Sequence, residues 1–367
     1  KRKTYEADPI PSQLTHDKYK WGTLDVAYYF EELFPQLKDS VVDIDYFMKW
    51  IESDKEVTQY DLDDDGIPEK VLPTNKIRIP VNKENALKYG IVASKDADKI
   101  VPYIDITIDR AIAKNTILML DILNNFDWKR PIYFTGGSFG DDDYIWMKDY
   151  LQLDGMCYKL VPIRTPVDKA NPFDMGRVDS DLMYEKVKNW DWGNSGSPDI
   201  YHDTETRKNS ISYRGNLARL IEQLINEDEL DKAEEIADIA MTNMPVDFFG
   251  YYTLLEPYVS AYYEVGNKEK AQQLFKDVAK KYQENLTYYS GLTTSNQGHL
   301  FEDIYTDIQR YKGLVDVLVT YDPEFAKSES EVFNSYLKLF SHFYEDASAN
   351  EPIPDNDIPS DTSIEAN

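Results

Sequence analysis

The stretch Asp127-Trp128-Lys129-Arg130-Pro131-Ile132-Tyr133-Phe134-Thr135-Gly136-Gly137, answered further on by Gly155-Met156-Cys157-Tyr158-Lys159-Leu160-Val161-Pro162, decides how the first half of the chain is read. Ile132 to Thr135 is a β-branched and aromatic run stopped by paired glycines, and Met156 to Ile163 is a second such run. Between them, Asp141 to Leu153 opens on three acids and reads as a helix. Strand, glycine turn, helix and strand make a β-α-β unit, whose strand ends commonly carry ligand loops. The expected fold class is therefore mixed, α/β or α+β, in this half.

Outward from that core, the chain divides near residue 205. Residues 1–205 mix proline-rich extended pieces, short strands and helices; residues 206–346 are almost wholly helical in pattern, with Gly or Asp at the turns. Residues 189–204, with Trp190, Trp192, Gly193 and Pro198, look like a connector. Residues 347–367 form an acidic tail rich in Pro, Asp and Ser, a composition expected to stay disordered. Inside the helical part, Tyr262, Gly266, Ala271 and Phe275 fall on tetratricopeptide spacing, in which small residues let paired helices approach. Ala233, Ala240 and Pro245 make a weaker upstream copy, with Asp228 where glycine is usual. Further helices are expected around Asp303 to Val319 and Glu329 to Tyr344. A short solenoid of this kind presents a concave face to partners. The pairs Tyr251-Tyr252, Tyr262-Tyr263 and Tyr288-Tyr289 are candidates to line that face, although one tyrosine of each pair is expected in the helix-packing core.

The ordered motifs Tyr5-Glu6-Ala7-Asp8-Pro9-Ile10-Pro11, Leu14-Thr15-His16-Asp17-Lys18-Tyr19, Leu72-Pro73-Thr74-Asn75-Lys76-Ile77-Arg78-Ile79-Pro80-Val81, Leu118 to Leu123 and Trp128 to Phe134 span roughly the first 165 residues. Together they resemble the soluble C-terminal region of a bacterial family of multi-spanning membrane proteins, classed as protein O-glycosyltransferases similar to protein O-mannosyltransferases. The resemblance implies an extracytoplasmic (periplasmic) part of an inner-membrane protein that docks an acceptor. Its partners would be the membrane-embedded part of the same protein and an acceptor protein or peptide. This chain departs from the family in having no membrane span and none of the acidic first-loop residues used for chemistry. The fragment is therefore expected to lack catalytic residues. The alternative is an autonomous tetratricopeptide-like module that binds peptide or protein.

Composition sets further bounds. No apolar run approaches the roughly 18 to 20 residues of a membrane helix, and the chain opens on Lys1 without a signal segment, as a detached part of a larger protein would. The single cysteine, Cys157, excludes an internal disulfide and sits in an expected strand as a packed thiol. A formal charge of −27 argues against nucleic acid or anionic lipid as partner.

Several constellations offer chemistry. Gly136-Gly137-Ser138-Phe139-Gly140 fits a Gly-x-Ser-x-Gly elbow, a remote serine-hydrolase reading based on Ser138 with His202, His299 and His342 downstream. Three adjacent carboxylates at Asp141 to Asp143 oppose a developing oxyanion, and their plainer role is to cap the expected helix. Asp61-x-Asp63-x-Asp65-Gly66 has the opening of a calcium loop, with Glu69 at the ninth position but Leu72 where the bidentate glutamate belongs. Calcium is thus the one candidate cofactor, held by Asp61, Asp63, Asp65 and Glu69. The alternative is an exposed acidic turn between strands. Arg130, Tyr133, Ser138, Asp141 and Asp142 flank the strand end where an α/β crevice opens, and are the candidate ligand or partner contacts.

Overall fold

The computed structural model describes residues 26–109, 111–136, 140–167, 175–250 and 252–343. Ser138, the motifs before residue 26 and the acidic tail lie outside the described residues. The chain forms two compact units, 1–191 and 192–367.

Among the described residues, the first unit contains three small sheets and four helices. Strands β1 (Val26–Tyr28), β2 (Val42–Asp43), β3 (Gln59–Tyr60), β4 (Glu69–Val71), β5 (Lys76–Pro80), β6 (Tyr103–Thr107) and β7 (Ala111–Ala113) make two of the sheets. One has the order β3-β4-β1-β7, with β1 and β4 parallel; the other runs β2-β5-β6. Helices α1 (Ile44–Glu52), α2 (Lys83–Lys88), α3 (Lys114–Asn125) and α4 (Ser180–Lys188) pack among them. Helix α1 shows why: Asp43 accepts the Asp45 N–H as N-cap, and Ile44, Phe47, Met48 and Ile51 fall on one buried face at helical spacing. On β5 and β6 the pattern alternates instead. Ile77, Ile79, Ile104 and Ile106 point into the core while Arg78, Tyr103 and Asp105 face out.

The decisive stretch folds as a third sheet. Strands β8 (Tyr133–Phe134), β9 (Leu151–Asp154), β10 (Cys157–Leu160) and β11 (Arg177–Val178) lie in the order β11-β9-β10-β8. The mixed class holds, but the helix expected over Asp141 to Leu153 does not form. Two 3-10 turns, Asp142–Tyr144 and Lys148–Tyr150, and then β9 take its place. Ile145 and Trp146 are left-handed, at φ 55° and 54°, which no α-helix continues through. Residues Leu151 to Asp154 are all buried, as suits an inner strand and not an amphipathic helix. The β-α-β reading is corrected accordingly: β10 runs antiparallel to both β8 and β9. The loop joining β9 to β10 is Gly155-Met156, with Gly155 at φ 76°, the glycine-first pattern of a two-residue hairpin.

Two further turns repeat one unusual geometry. Asp127-Trp128 and Ile145-Trp146 each place two consecutive left-handed residues inside a turn, closed by Lys129 N–H on Phe126 C=O (3.0 Å) and Met147 N–H on Tyr144 C=O (2.9 Å). A β-branched residue such as Ile145 costs about 1–2 kcal/mol there. The surrounding core holds it: Ile145 and Met147 belong to the same buried cluster as Trp128, Ile104 and Ile106.

The second unit is all-helical, and the described helices form three antiparallel hairpins. Helices α5 (Thr204–Asn226) and α6 (Leu230–Asn243) make the first; α7 (Val246–Phe249) leads to α8 (Glu256–Glu264) and α9 (Lys268–Ser290), the second; α10 (Thr294–His299) precedes α11 (Phe301–Tyr321) and α12 (Pro323–Leu337), the third. First helices of successive hairpins pack on each other, α5 on α8 and α8 on α11, as in a helical-repeat array. The expected small contacts are present: Ala233, Ala240, Ala271 and Phe275 are fully buried. Asp228 and Gly266 occupy equivalent turns at φ 62° and 85°, so the aspartate fills a left-handed site that suits glycine. Helix α12 begins at Pro323, earlier than the expected Glu329, because proline is well placed at N1. Buried Asp322 joins hairpins two and three by accepting from Lys268 (2.9 Å) and Gln272 (2.7 Å).

Candidate functional site

Around β8 the candidate residues acquire different neighbours. Tyr133 donates its hydroxyl to Asp154 (3.0 Å), which also receives Lys186 from α4. Arg130 is half-buried just ahead of β8, and Asp142 is exposed at the start of a 3-10 turn. Asp141 makes no side-chain cap, contrary to the capping role expected of it; its carboxylate pairs with Lys148 at 3.0 Å. With only 3-10 turns after Gly140, the strand-to-helix context that a nucleophile elbow requires is missing from the described residues on that side of Ser138.

The register of the third sheet produces a polar row that sequence reading missed. Arg177 faces Gln152, Gln152 faces Lys159, and Lys159 faces Tyr133, so four polar residues cross four strands on one face. Asp154 shares that face, two residues beyond Gln152, and α4 packs over β9. Arg177 donates to Gln152 (3.2 Å) and reaches Asp96 (2.8 Å), which Lys99 also approaches (2.6 Å). Burial pushes the Lys159 ammonium below its ordinary value, with Asp154 acting in the other direction. Burial, and then the Asp154 charge, raise the Tyr133 hydroxyl to about 12. Burial alone would raise Asp96; its bonds from Lys99 and Arg177 outweigh this and hold it ionised below the usual carboxylate range. Within it Tyr133 and Lys186 pair with Asp154, and Gln152 and Asp96 pair with Arg177. An advance signal of the row was the Leu151-Gln152-Leu153-Asp154 alternation, which has the period of a strand and not of a helix.

The acidic loop is a connection between antiparallel β3 and β4 rather than a helix-loop-helix. Carboxylate oxygens of Asp61, Asp63 and Asp65 come within 4.8 Å of one another, and all three residues are exposed. Asp61 accepts N–H groups from Asp65 (3.0 Å) and Gly66 (2.9 Å), while Glu69 accepts from Leu62 (3.0 Å). Desolvation and the charges of Asp65 and Glu69 raise the Asp63 carboxyl. Leu72, at the twelfth position, is fully buried in the core.

A cleft of ≈ 480 Å³ opens between β6 and residues 141–150, within the ~300–1,000 Å³ span of small-molecule sites. Of the described sequence-level candidates only Asp141 lines it; Tyr103, Asp105, Trp146, Asp149 and Arg164 do so too. These residues come from three separate segments of the chain, so no local pattern marked them.

In the helical unit, Tyr262 is buried and bonded to Asp238 (2.9 Å), while Tyr263 stacks on Tyr321 at 5.6 Å. Tyr288 is exposed and Tyr251 lies outside the described residues. An aromatic column runs from Tyr252 through Tyr282 and Tyr311 to Phe333, with centroids 4.9, 5.8 and 5.2 Å apart.

Among the described residues no helix is long and apolar enough to cross a membrane. No curated protein and no solved structure matches the chain. Over residues 1–182, the unit that holds the three sheets and the cleft, the chain matches the family model described as TMEM260-associated domain 2.

Proposed function

We propose that the chain is the extracytoplasmic, non-catalytic portion of a membrane-bound protein O-glycosyltransferase, in which the mixed first unit is the part that belongs beside the membrane-embedded enzyme and the helical hairpins dock the acceptor protein. The observation that carries this reading is the family match over residues 1–182, to a domain defined by its association with TMEM260. Transfer would use a lipid-linked sugar donor and an acidic base in the membrane part. The polar row around Asp154 is consistent with this division of labour, because Asp154 pairs with Tyr133 and Lys186, and Asp96 with Arg177. The periplasmic face follows from the same reading.

A second reading, an autonomous peptide-binding module, draws on the three stacked hairpins alone. The two are separated by assaying the isolated chain against lipid-linked sugar with and without the membrane fraction of its parent. The proposed function predicts no turnover by the chain alone. Activity of the isolated chain that vanishes in Ser138→Ala or Asp142→Asn would overturn it.

A further inference from the structure

The cleft between β6 and residues 141–150 has a chemistry that no role above uses. Each carboxylate at the cleft has a cation beside it. Arg78 grips Asp105 through two bonds of 2.7 Å, Lys148 pairs with Asp141 at 3.0 Å, and Arg164 lies 3.7 Å from Asp149. The described lining holds three acids and two bases, and Arg78, outside the lining, pairs with the third acid, Asp105. What the cleft offers is a set of fixed, adjacent hydrogen-bond acceptors and donors. Aromatic rings lie between them: Tyr103, 43% exposed with the Arg78 guanidinium 3.8 Å from its centroid, together with Trp146 and Tyr150.

Trp146 supplies an independent indication. Its left-handed backbone is fastened by its own N–H to the Asp141 carbonyl at 2.7 Å. The matching turn at Asp127-Trp128 gives the Trp128 indole an acceptor, Pro80 C=O at 2.9 Å. Trp146 is only partly buried, and its Nε1 has no hydrogen-bond partner among the described residues. Strained turns of this kind gather where a ligand is held.

We propose that this cleft binds a neutral saccharide of one or two rings. Vicinal hydroxyls, which both donate and accept, fit paired carboxylates and cations, and the apolar face of a pyranose fits Tyr103 and Trp146. An ionic ligand would have to compete with these pairs. The site stands on its own geometry and does not depend on the parent protein being a transferase.

The test is calorimetric and fluorescence titration of the full chain with neutral methyl glycosides of glucose, galactose, mannose and N-acetylglucosamine, and with glucuronate and glucosamine as charged probes. At least one neutral glycoside is expected to bind saturably with Kd near ~1 mM, and Tyr103→Ala and Trp146→Ala are each expected to weaken it about tenfold or more. Trp146→Phe, which keeps a ring, is expected to weaken binding less than Trp146→Ala, and an unchanged melting profile shows that the fold is intact. No saturable binding of any neutral glycoside, binding untouched by both alanine substitutions, or a preference for the charged probes would overturn the proposal.

Discussion

The helical unit is built so that alkali should unfold it. Tyr258, Tyr262, Tyr282 and Tyr311 are all buried, and burial pushes every one of their hydroxyls above the ordinary value of 10, Tyr311 to about 12. A group whose folded pKa is raised keeps its stabilising contribution below the unfolded pKa and loses it as pH climbs toward the folded one. Each tyrosine therefore withdraws about 1.4 kcal/mol per pH unit above 10, or roughly 2 kcal/mol at about pH 11.5, and the four together withdraw about 8 kcal/mol. Arg214 works in the opposite direction. Fully buried on α5, it donates to the Gly250 and Met244 carbonyls, and burial lowers its guanidinium to about 10. Above pH 10 the cost of keeping it charged is relieved, returning about 2 kcal/mol by pH 11.5. A net loss near 6 kcal/mol is comparable with the whole stability of a domain, about 5–15 kcal/mol. Far-UV circular dichroism and tyrosinate absorbance, followed together through a pH titration, should show one cooperative step between about pH 11 and 12 in which helix is lost as tyrosinate appears. Tyr282→Phe should move that step upward. Smooth ionisation of the tyrosines near pH 10 with the helices intact would refute the reasoning.

Other consequences follow from single positions. Gly266→Ala should lower the melting of the helical unit by about 1 kcal/mol, since the turn needs φ 85° although nothing lies within 4 Å of an added Cβ, whereas Asp228→Gly at φ 62° should be neutral or slightly stabilising; calorimetry of both variants decides. Asp154→Ala leaves Lys186 and the buried Lys159 without their carboxylate and should cost the first unit about 3 kcal/mol in a urea titration, with Asp154→Asn costing less because it still accepts from Tyr133. Because Leu72 is buried where a bidentate glutamate would stand, calcium at Asp61, Asp63 and Asp65 should bind no tighter than about 1 mM; micromolar binding by calorimetry would contradict this.

The parts of this architecture that were legible in the sequence are those written locally. Tyr262, Gly266, Ala271 and Phe275 encode one hairpin through neighbours on a single helix pair, and the structure places them as that spacing requires. The second half of the decisive stretch was misread for a physical reason. Leu151 to Asp154 alternate apolar and polar, yet all four are buried, because Gln152 and Asp154 are satisfied by Arg177 and Lys186 from distant segments. Three acids at 141–143 then imitated a helix start, and nothing in the local pattern announced the left-handed pair Ile145-Trp146 that prevents the helix. The cleft was invisible for the same reason of distance, since Tyr103, Trp146 and Arg164 meet only after β6 and the 3-10 turns are packed.

The central claim, that this chain serves a protein O-glycosyltransferase, meets its most direct test in mass spectrometry of O-linked glycopeptides from cells lacking the parent gene, beside cells in which it is restored. Loss of a set of O-linked glycans in the first and their return in the second is the predicted result. An unchanged glycan profile would contradict the account.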